Sequence, residues 1–351
     1  MVTHDNSLLL SQITTLRVGG PAVEVIRCTD ADSLIETVGE LDAAGTPVLL
    51  VGGGSNLVIS DDGFDGTVVQ IGNAELDWRN DHVTAGAGVN WDDLVAQSVE
   101  RGLGGLECLS GIPGAAGATP VQNVGAYGVE VGSLLRSVQI LDRRSGAVSW
   151  VDPGDLDLGY RTSRLKRRND EVVVQVSFFL HGDGLSEPIR YRELANALGV
   201  DEGERAPAAD VRNAVLALRA SKGMVLDDTD HDTWSVGSFF TNPIVPQEHL
   251  PTVLTRIVEE LGAEATVPQF PADLGVKLSA GWLIEKAGFA RGFPDADAPA
   301  RLSTKHSLAI TNRGQARSED IIELAKRVRD GVHERFGLWL EPEPVLVGCA
   351  L

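Results

Sequence analysis

SGIPGAAGATPVQNVGAYG, residues 110–128, is the stretch on which the reading of this chain turns. It holds Gly111, Gly114, Gly117, Gly125 and Gly128, two prolines, and the amide side chains of Gln122 and Asn123. A segment with so little side-chain mass cannot order itself by its own packing. Its loss of conformational entropy has to be offset by a ligand or a neighbouring domain. The pattern therefore predicts backbone laid closely against something flat or bulky. A second glycine turn, VGGGSNLV at 51–58, runs out of a predicted strand. Its N–H groups can converge on an anion without Cβ interference, and Ser55 and Asn56 add donors. A tight structural turn explains the same residues.

The dinucleotide fingerprint G-x-G-x-x-G fails at both places where it begins. Leu57 stands where the third glycine is needed after Gly52 and Gly54, and Trp91 after Gly86 and Gly88. No phosphate-loop motif of the G-x-x-x-x-G-K-[ST] type occurs.

Around these turns the chain reads as mixed α and β. AVEVIRC, PVLLV, LVIS and GTVVQIG are short apolar strands, and ADSLIETVGELDAAG is a helix between them, which makes a small α/β unit over 1–71. A second unit, 72–205, contains the strand HVTAGAGV and a helix starting at Trp91. In that helix Asn90 is placed to cap, Trp91, Leu94, Val95 and Val99 share a face, and Gly102 stops it. VQILDRRSGAVSWV reads as a hairpin turning at RRSG, and EVVVQVSFFL as a further strand. The polar stretch DEGERAPAAD marks the next boundary. A third unit, 206–330, opens with the helix ADVRNAVLALRASKG, which delivers Arg219 and Lys222 at its end. The last segment, 331–351, carries LEPEPVLVG, whose prolines forbid a continuing helix.

At 351 residues with 43% hydrophobic composition, several globular domains are expected, and no apolar run approaches the ~18 residues that cross a bilayer. The first residues lack a basic start followed by an apolar block, so no signal peptide is read, and the expected location is cytoplasmic. Three well-separated cysteines, Cys28, Cys108 and Cys349, suit a reducing compartment and give no metal-ligand spacing. A net charge of −20 disfavours nucleic acid as a partner. One basic run, YRTSRLKRR at 160–168, could serve a small anionic ligand or lie as a solvated loop. In SVGSFFTNP, 235–243, Ser238 puts a bare hydroxyl between Gly237 and Phe239. A buried strand end accounts for it, and so does a functional hydroxyl. A nucleophilic role is disfavoured because no G-x-S-x-G elbow exists.

Seven stretches occur together and in order: TTLRVGGPA, GGGSNLVI, SGIPGAAGATPVQNVGAYG, GYRTS, GSFFTNP, KLSAGWLIEKAG and LEPEPV. In this the chain resembles the UDP-N-acetylenolpyruvoylglucosamine reductases, flavoenzymes of bacterial cell-wall precursor synthesis that also serve cell shape and division. Tyr191 in IRYREL looks like the form that closes a tyrosine loop over its substrate.

The resemblance implies an α+β fold in which a two-part vanillyl-alcohol-oxidase-like (PCMH-type) FAD-binding domain precedes an α/β substrate-binding domain, with the tail returning to the active site. It implies FAD held by Gly53, Gly54, Ser55 and Asn56 at the pyrophosphate. Ile112, Pro113, Gly117, Ala118, Thr119, Gln122, Asn123, Gly125 and Tyr127 would lie along the flavin and ribityl chain. Neither segment contains a histidine, so the FAD is expected to be noncovalent. NADPH would reduce the flavin, and the flavin N5 hydride would then add to an enolpyruvyl ether of a UDP-sugar, giving UDP-N-acetylmuramate.

Hydride addition leaves negative charge beside a carboxylate, which is stable only as an enediolate facing preorganised donors. By the resemblance those are Arg161 and Glu343, the latter acting protonated or through a water. Ser238 would then supply the proton to carbon. Lys222 and Arg219 would meet the diphosphate, Tyr191 would cap it, and Asn242 and His306 would bond polar groups of the substrate. Thr241 and Phe270 depart from the lysine and tyrosine frequent in the family, which puts polar contacts at those two places in doubt. No metal is expected, nor a membrane or nucleic-acid partner, and the chain is expected to act as a monomer on small molecules. The rival readings are an FAD oxidase of the same fold and a flavin or sugar-nucleotide binder without catalysis. The joint presence of Arg161, Ser238 and Glu343 argues against both.

Overall fold

The β-branched runs AVEVIRC and GTVVQIG form the central strands of a four-stranded sheet in the computed structural model, which describes residues 1–351 throughout. Its order is Val2–His4, Ala22–Cys28, Phe64–Ile71, Val48–Val51, with parallel pairing except at the Val2–His4 edge. Helix α1 (Ala31–Ala43) lies in the crossover and starts where the Asp30 carboxylate accepts the Ser33 N–H. Its Leu34 and Val38 are buried with Ile26 and Val69, and with Leu141, Val172 and Val174 of a second sheet.

That second sheet is antiparallel and five-stranded, in the order Val148–Val151, Leu135–Asp142, Glu171–Phe179, His82–Gly86, Leu76–Trp78. The hairpin expected at RRSG is present: Asp142 accepts the Arg144 and Ser145 N–H groups, and Gly146 adopts φ +70°. Helix α2 (Trp91–Glu100) is capped by Asn90, whose side chain accepts the Asp93 N–H, and it ends before Gly102 at φ +73°. Trp91, Leu94 and Val95 face the core. There they join Val176 and Phe178 of the sheet, Leu194 of helix α3 (Arg192–Leu198), and Val211 and Val215 of helix α4 (Ala208–Ser221).

These elements form one unit, Met1–Leu9, Pro21–Gly54 and Phe64–Val225; the second unit is Leu10–Gly20, Ser55–Gly63 and Leu226–Leu351. The second contains helices α5 (Leu250–Leu261), α6 (Ala280–Lys286) and α7 (Ser318–Phe336) and three small sheets. The largest sheet orders Ile244–Val245, Gly275–Leu278 and Gln269–Ala272; another pairs Ala300–Leu302 with Ile310–Asn312. α7 has Glu319 and Asp320 in its first turn and stops at Gly337, φ +72°.

The division differs from the one read in the sequence. The two sheets of the first unit do lie on either side of residue 71, but Leu10–Gly20 and Ser55–Gly63 belong to the second unit. There Leu57–Ile59 pairs in parallel with Val345–Val347, and Leu16, Val18 and Val58 are buried in the core with Phe239 and Leu340. α4 belongs to the first unit rather than opening the third, because Val211 and Val215 fill its core beside Leu109. α7 also runs through residue 330, so the tail begins only after Gly337. For the first two differences a long-range contact overrides a local change of composition; for α7 the helix simply continues to its glycine stop. No helix is long and apolar enough to cross a membrane.

Candidate active site

In the first unit the two glycine-rich segments meet back to back. A Cβ built on Gly53 would lie 2.6 Å from Gly114 Cα, and one on Gly52 3.2 Å from Ala115 Cβ. The same segment is sewn to the N-terminus of α2. Trp91 donates its indole N–H to Leu109 O (3.0 Å) and its main-chain N–H to Gly114 O (3.0 Å), while Asp92 accepts the Gly111 N–H (2.6 Å). Ala116 and Gly117 donate to Val89 O and Ala87 O. The N–H groups of Gly53, Gly54, Gly114 and Ala115 make no backbone hydrogen bond. Unspent main-chain donors beside glycines are the donor set an FAD pyrophosphate requires, so this cradle fits the cofactor the resemblance implies.

Further along the segment, Asn123 is buried and wholly engaged by the protein. Its amide N–H₂ donates to Glu130 Oε2 (2.9 Å) and Gly159 O (3.1 Å), and its oxygen accepts the Gly132 N–H (2.8 Å). It thus shapes the segment from within. Thr119 is likewise buried and donates to Ala116 O (2.7 Å). Arg161 donates from Nη2 to Gly125 O (2.6 Å), and a Cβ on Gly125 would sit 3.2 Å from Arg161 Nη1. Asn123 (φ +46°), Tyr127 (φ +50°) and Arg161 (φ +54°) all hold the left-handed backbone conformation. Non-glycine residues kept there are strained and collect at functional sites. Gln122, Ala118, Ile112 and Pro113 lie on the same segment, Ala118 exposed and the other three half-buried.

The basic run at 160–168 is engaged by the protein at several points. Arg164 pairs with Glu171 (2.8 Å), Arg168 pairs with Asp170 (2.6 Å), and Lys166 donates to Arg161 O (2.7 Å).

Helices α3 and α4 bring three of the expected substrate residues to the same unit. Tyr191, at the start of α3, packs edge-on against Tyr127 with ring centroids 5.4 Å apart. Burial pushes the Tyr127 phenol up to about 12. Lys222, closing α4, pairs with Glu193 at 2.6 Å. Arg219 donates to Met224 O (2.7 Å), and its buried Nε has no partner. Burial lowers this guanidinium to about 10, with Tyr127 and Asp92 favouring its charge and Arg161 opposing it.

In the second unit the expected residues lie around a short antiparallel pairing of 239–241 with 341–343. Phe240 bridges Pro342 in antiparallel fashion; Glu343 N donates to Phe239 O (2.9 Å), and Thr241 N to Glu341 O (3.0 Å). This sets Glu343 across from Phe239, next to Ser238. On the other side Phe239 N donates to Leu308 O (2.8 Å), in the turn that carries His306. Ser238 is half-buried, preceded by Gly237 at φ +75°, and followed by the buried Phe239 and Phe240. Asn56 binds the same tail: its side chain donates to Glu343 O (3.3 Å) and its carbonyl accepts the Val345 N–H (2.9 Å). Ser55 immediately precedes it. Asn242 accepts the Ala280 N–H (2.9 Å) at the start of α6, so its side-chain oxygen already serves the fold. Thr241 Oγ1 reaches only Glu341 O, at 3.4 Å, and the Phe270 ring is exposed.

The sequence reading missed Asp92 and Arg212. They pair through both carboxylate oxygens (2.7 and 2.9 Å), and nothing in a D-x-L helix start or in α4 signals the contact. No group of three or more His, Cys, Asp or Glu side chains could hold a metal ion.

Comparison with known proteins agrees with this geometry. A family model described as FAD binding domain matches residues 22–152, and one described as UDP-N-acetylenolpyruvoylglucosamine reductase, C-terminal domain, matches 228–347. The chain is 62% identical over 349 residues to the UDP-N-acetylenolpyruvoylglucosamine reductase of Nocardia farcinica, covering 99% of this chain and 91% of that one. It is 57% identical to that of Saccharopolyspora erythraea (97% and 95% covered) and 54% identical to that of Mycobacterium tuberculosis (97% and 95%). Among solved structures, the UDP-N-acetylenolpyruvylglucosamine reductase from Thermus caldophilus superposes with a TM-score of 0.66 at 26% identity, covering 99% of both chains. The α+β architecture of an FAD-binding domain followed by an α/β domain is thereby established, and the chain belongs to the UDP-N-acetylenolpyruvoylglucosamine reductase family.

Proposed function

We propose that Ser238, Arg161 and Glu343 carry the chemistry by which this FAD-dependent oxidoreductase of peptidoglycan precursor synthesis reduces UDP-N-acetylglucosamine enolpyruvate to UDP-N-acetylmuramate, with NADPH as electron source. The observation that carries the reading is the pairing of 239–241 with 341–343, which sets the backbone of Glu343 across from Phe239, the residue that follows Ser238.

Bound FAD supplies a hydride acceptor and donor at N5. Arg161, at φ +54° with one guanidinium arm on Gly125 O, is a preorganised donor for the charge that develops on the substrate carboxylate. Glu343 shares that charge in its protonated form or through a water. The Ser238 hydroxyl gives its proton to the carbon next to the carboxylate as the enediolate collapses, and the buried Phe239 and Phe240 limit competing water. Gly53, Gly54, Ser55 and Asn56 hold the pyrophosphate. Ile112, Pro113, Gly117, Ala118, Gln122, Gly125 and Tyr127 line the flavin and ribityl chain, while Asn123 and Thr119 fix the loop from inside. Arg219 and Lys222 take the substrate diphosphate, Tyr191 covers it, and Asn242 and His306 hold its polar groups. FAD is bound noncovalently, the enzyme works as a monomer in the cytoplasm, and its net charge of −20 keeps nucleic acid away.

Stopped-flow absorbance at the flavin band tests the central assignment. In Ser238→Ala, reduction by NADPH stays near the wild-type rate, and reoxidation by the enolpyruvyl substrate slows by about 10²- to 10⁴-fold. Equal slowing of both half-reactions would remove Ser238 from the proton step.

A further inference from the structure

The flavin segment is fastened at its first glycine, through Asp92, to helix α4 much further along the chain. Asp92, the second residue of α2, accepts the Gly111 N–H at 2.6 Å. Its two oxygens also receive a forked pair of bonds from Arg212 of α4, at 2.7 and 2.9 Å. The other side of the same glycine is watched by α4 as well. A Cβ on Gly111 would meet Leu216 Cδ2 at 2.9 Å and Arg219 Nε at 3.5 Å, and Arg219 Nη2 lies 3.4 Å from Gly111 O. Gly111 stands at φ +71°, so it occupies a conformation that a side-chain-bearing residue would strain to hold. Burial works against charge on Asp92, yet the Arg212 hydrogen bonds and the Gly111 N–H prevail and hold its carboxyl below the usual range. The pair is therefore ionised at neutral pH, and bidentate guanidinium–carboxylate geometry is both strong and directional.

We propose that Asp92 is a positioning residue for the flavin: through Gly111 it sets where segment 111–128 begins, and through Arg212 it ties that setting to α4. The proposal rests on the assignment of segment 111–128 to FAD and deepens it. Since α4 ends in Arg219 and Lys222, whatever engages that end is mechanically connected to the flavin segment by one rigid helix and one forked ion pair. Neither Asp92 nor Arg212 touches the reacting atoms, so their influence appears in flavin affinity and potential rather than in a lost chemical group.

The test compares wild type, Asp92→Asn, Arg212→Gln and the double variant as apo and reconstituted proteins, with FAD as the probe. Asp92→Asn keeps an oxygen for Gly111 but loses the charge; Arg212→Gln leaves the Asp92–Gly111 bond and loses the link to α4. FAD dissociation constants come from flavin fluorescence titration, midpoint potentials from dye-coupled reduction, and apo-protein melting reports folding. The expected result is FAD binding weakened about tenfold or more in Asp92→Asn, the scale of a lost charge-assisted bond, with a displaced flavin midpoint potential. Arg212→Gln shifts both quantities in the same direction. The double variant is no worse than Asp92→Asn alone, because the two act as one unit. FAD affinity and potential unchanged within twofold and within measurement error in both single variants would overturn the proposal. So would strictly additive losses in the double variant. A wild-type apo protein that takes up no FAD overturns the FAD assignment itself, and this proposal with it.

Discussion

Gly53→Ala adds a single methyl group at the point where the two glycine-rich segments touch. The new Cβ would lie 2.6 Å from Gly114 Cα and 2.8 Å from Gly114 C, whereas ordinary contact begins at 3.4 Å, so the two backbones must part by about 0.8 Å. Neither contacting atom belongs to a side chain that could swing away. Gly53 is not among the glycines with positive φ, so alanine suits its backbone and the whole penalty is steric. Overpacking of this kind costs about 1–3 kcal/mol. If the separation falls on the cradle, FAD binding weakens by about 5- to 150-fold. Fluorescence titration of the apo protein with FAD measures this directly, with thermal melting alongside to show that the fold survives. Gly39→Ala is the matched control: Gly39 lies inside α1 with nothing within 4 Å of the added Cβ, so the substitution stabilises by about 0.5–1 kcal/mol and leaves FAD affinity alone. A Gly53→Ala protein that binds FAD within twofold of wild type would refute the argument that these two backbones jointly form the cradle.

The elevated Tyr127 phenol gives a pH test. With its folded value at about 12 against about 10 when unfolded, its contribution to stability is complete below pH 10 and is lost as the pH climbs toward 12. Tyrosinate absorbance of the native wild type and of Tyr127→Phe should therefore superimpose up to pH 11, and a variant that loses one tyrosine's share below that pH would contradict the burial argument. Glu193→Gln removes the carboxylate that holds Lys222 at 2.6 Å. This pair is partly exposed, so stability changes by less than about 1 kcal/mol, and, on the proposed role of Lys222 at the diphosphate, KM for the UDP-sugar falls by up to about fivefold with kcat unchanged as Lys222 is released. A raised KM would mean that Glu193 orients Lys222 rather than competing for it.

Elements set by local pattern could be read from the chain alone: the Asn90 cap, the stop at Gly102 and the RRSG hairpin all follow from neighbouring residues. The same holds for the glycine segments, because absent side chains are themselves a local signal, and for the family, because seven motifs in order leave little room for coincidence. Contacts that join distant residues could not be read that way. The run Leu57–Ile59 looks like any short strand until Val345–Val347 pairs with it, and α4 looks like the start of a new domain until its apolar face is filled by the first unit. Asn123 shows the same limit at the site: its amide suggests a ligand contact, but three partners within the protein use it up. Asp92 shows the converse, an unremarkable helix residue that gains a role only when Gly111 and Arg212 arrive beside it. Propensity, capping and turn chemistry act over a few residues and are written in order along the chain. Burial and ion pairing depend on which surfaces meet, and that is settled only when the whole chain has folded.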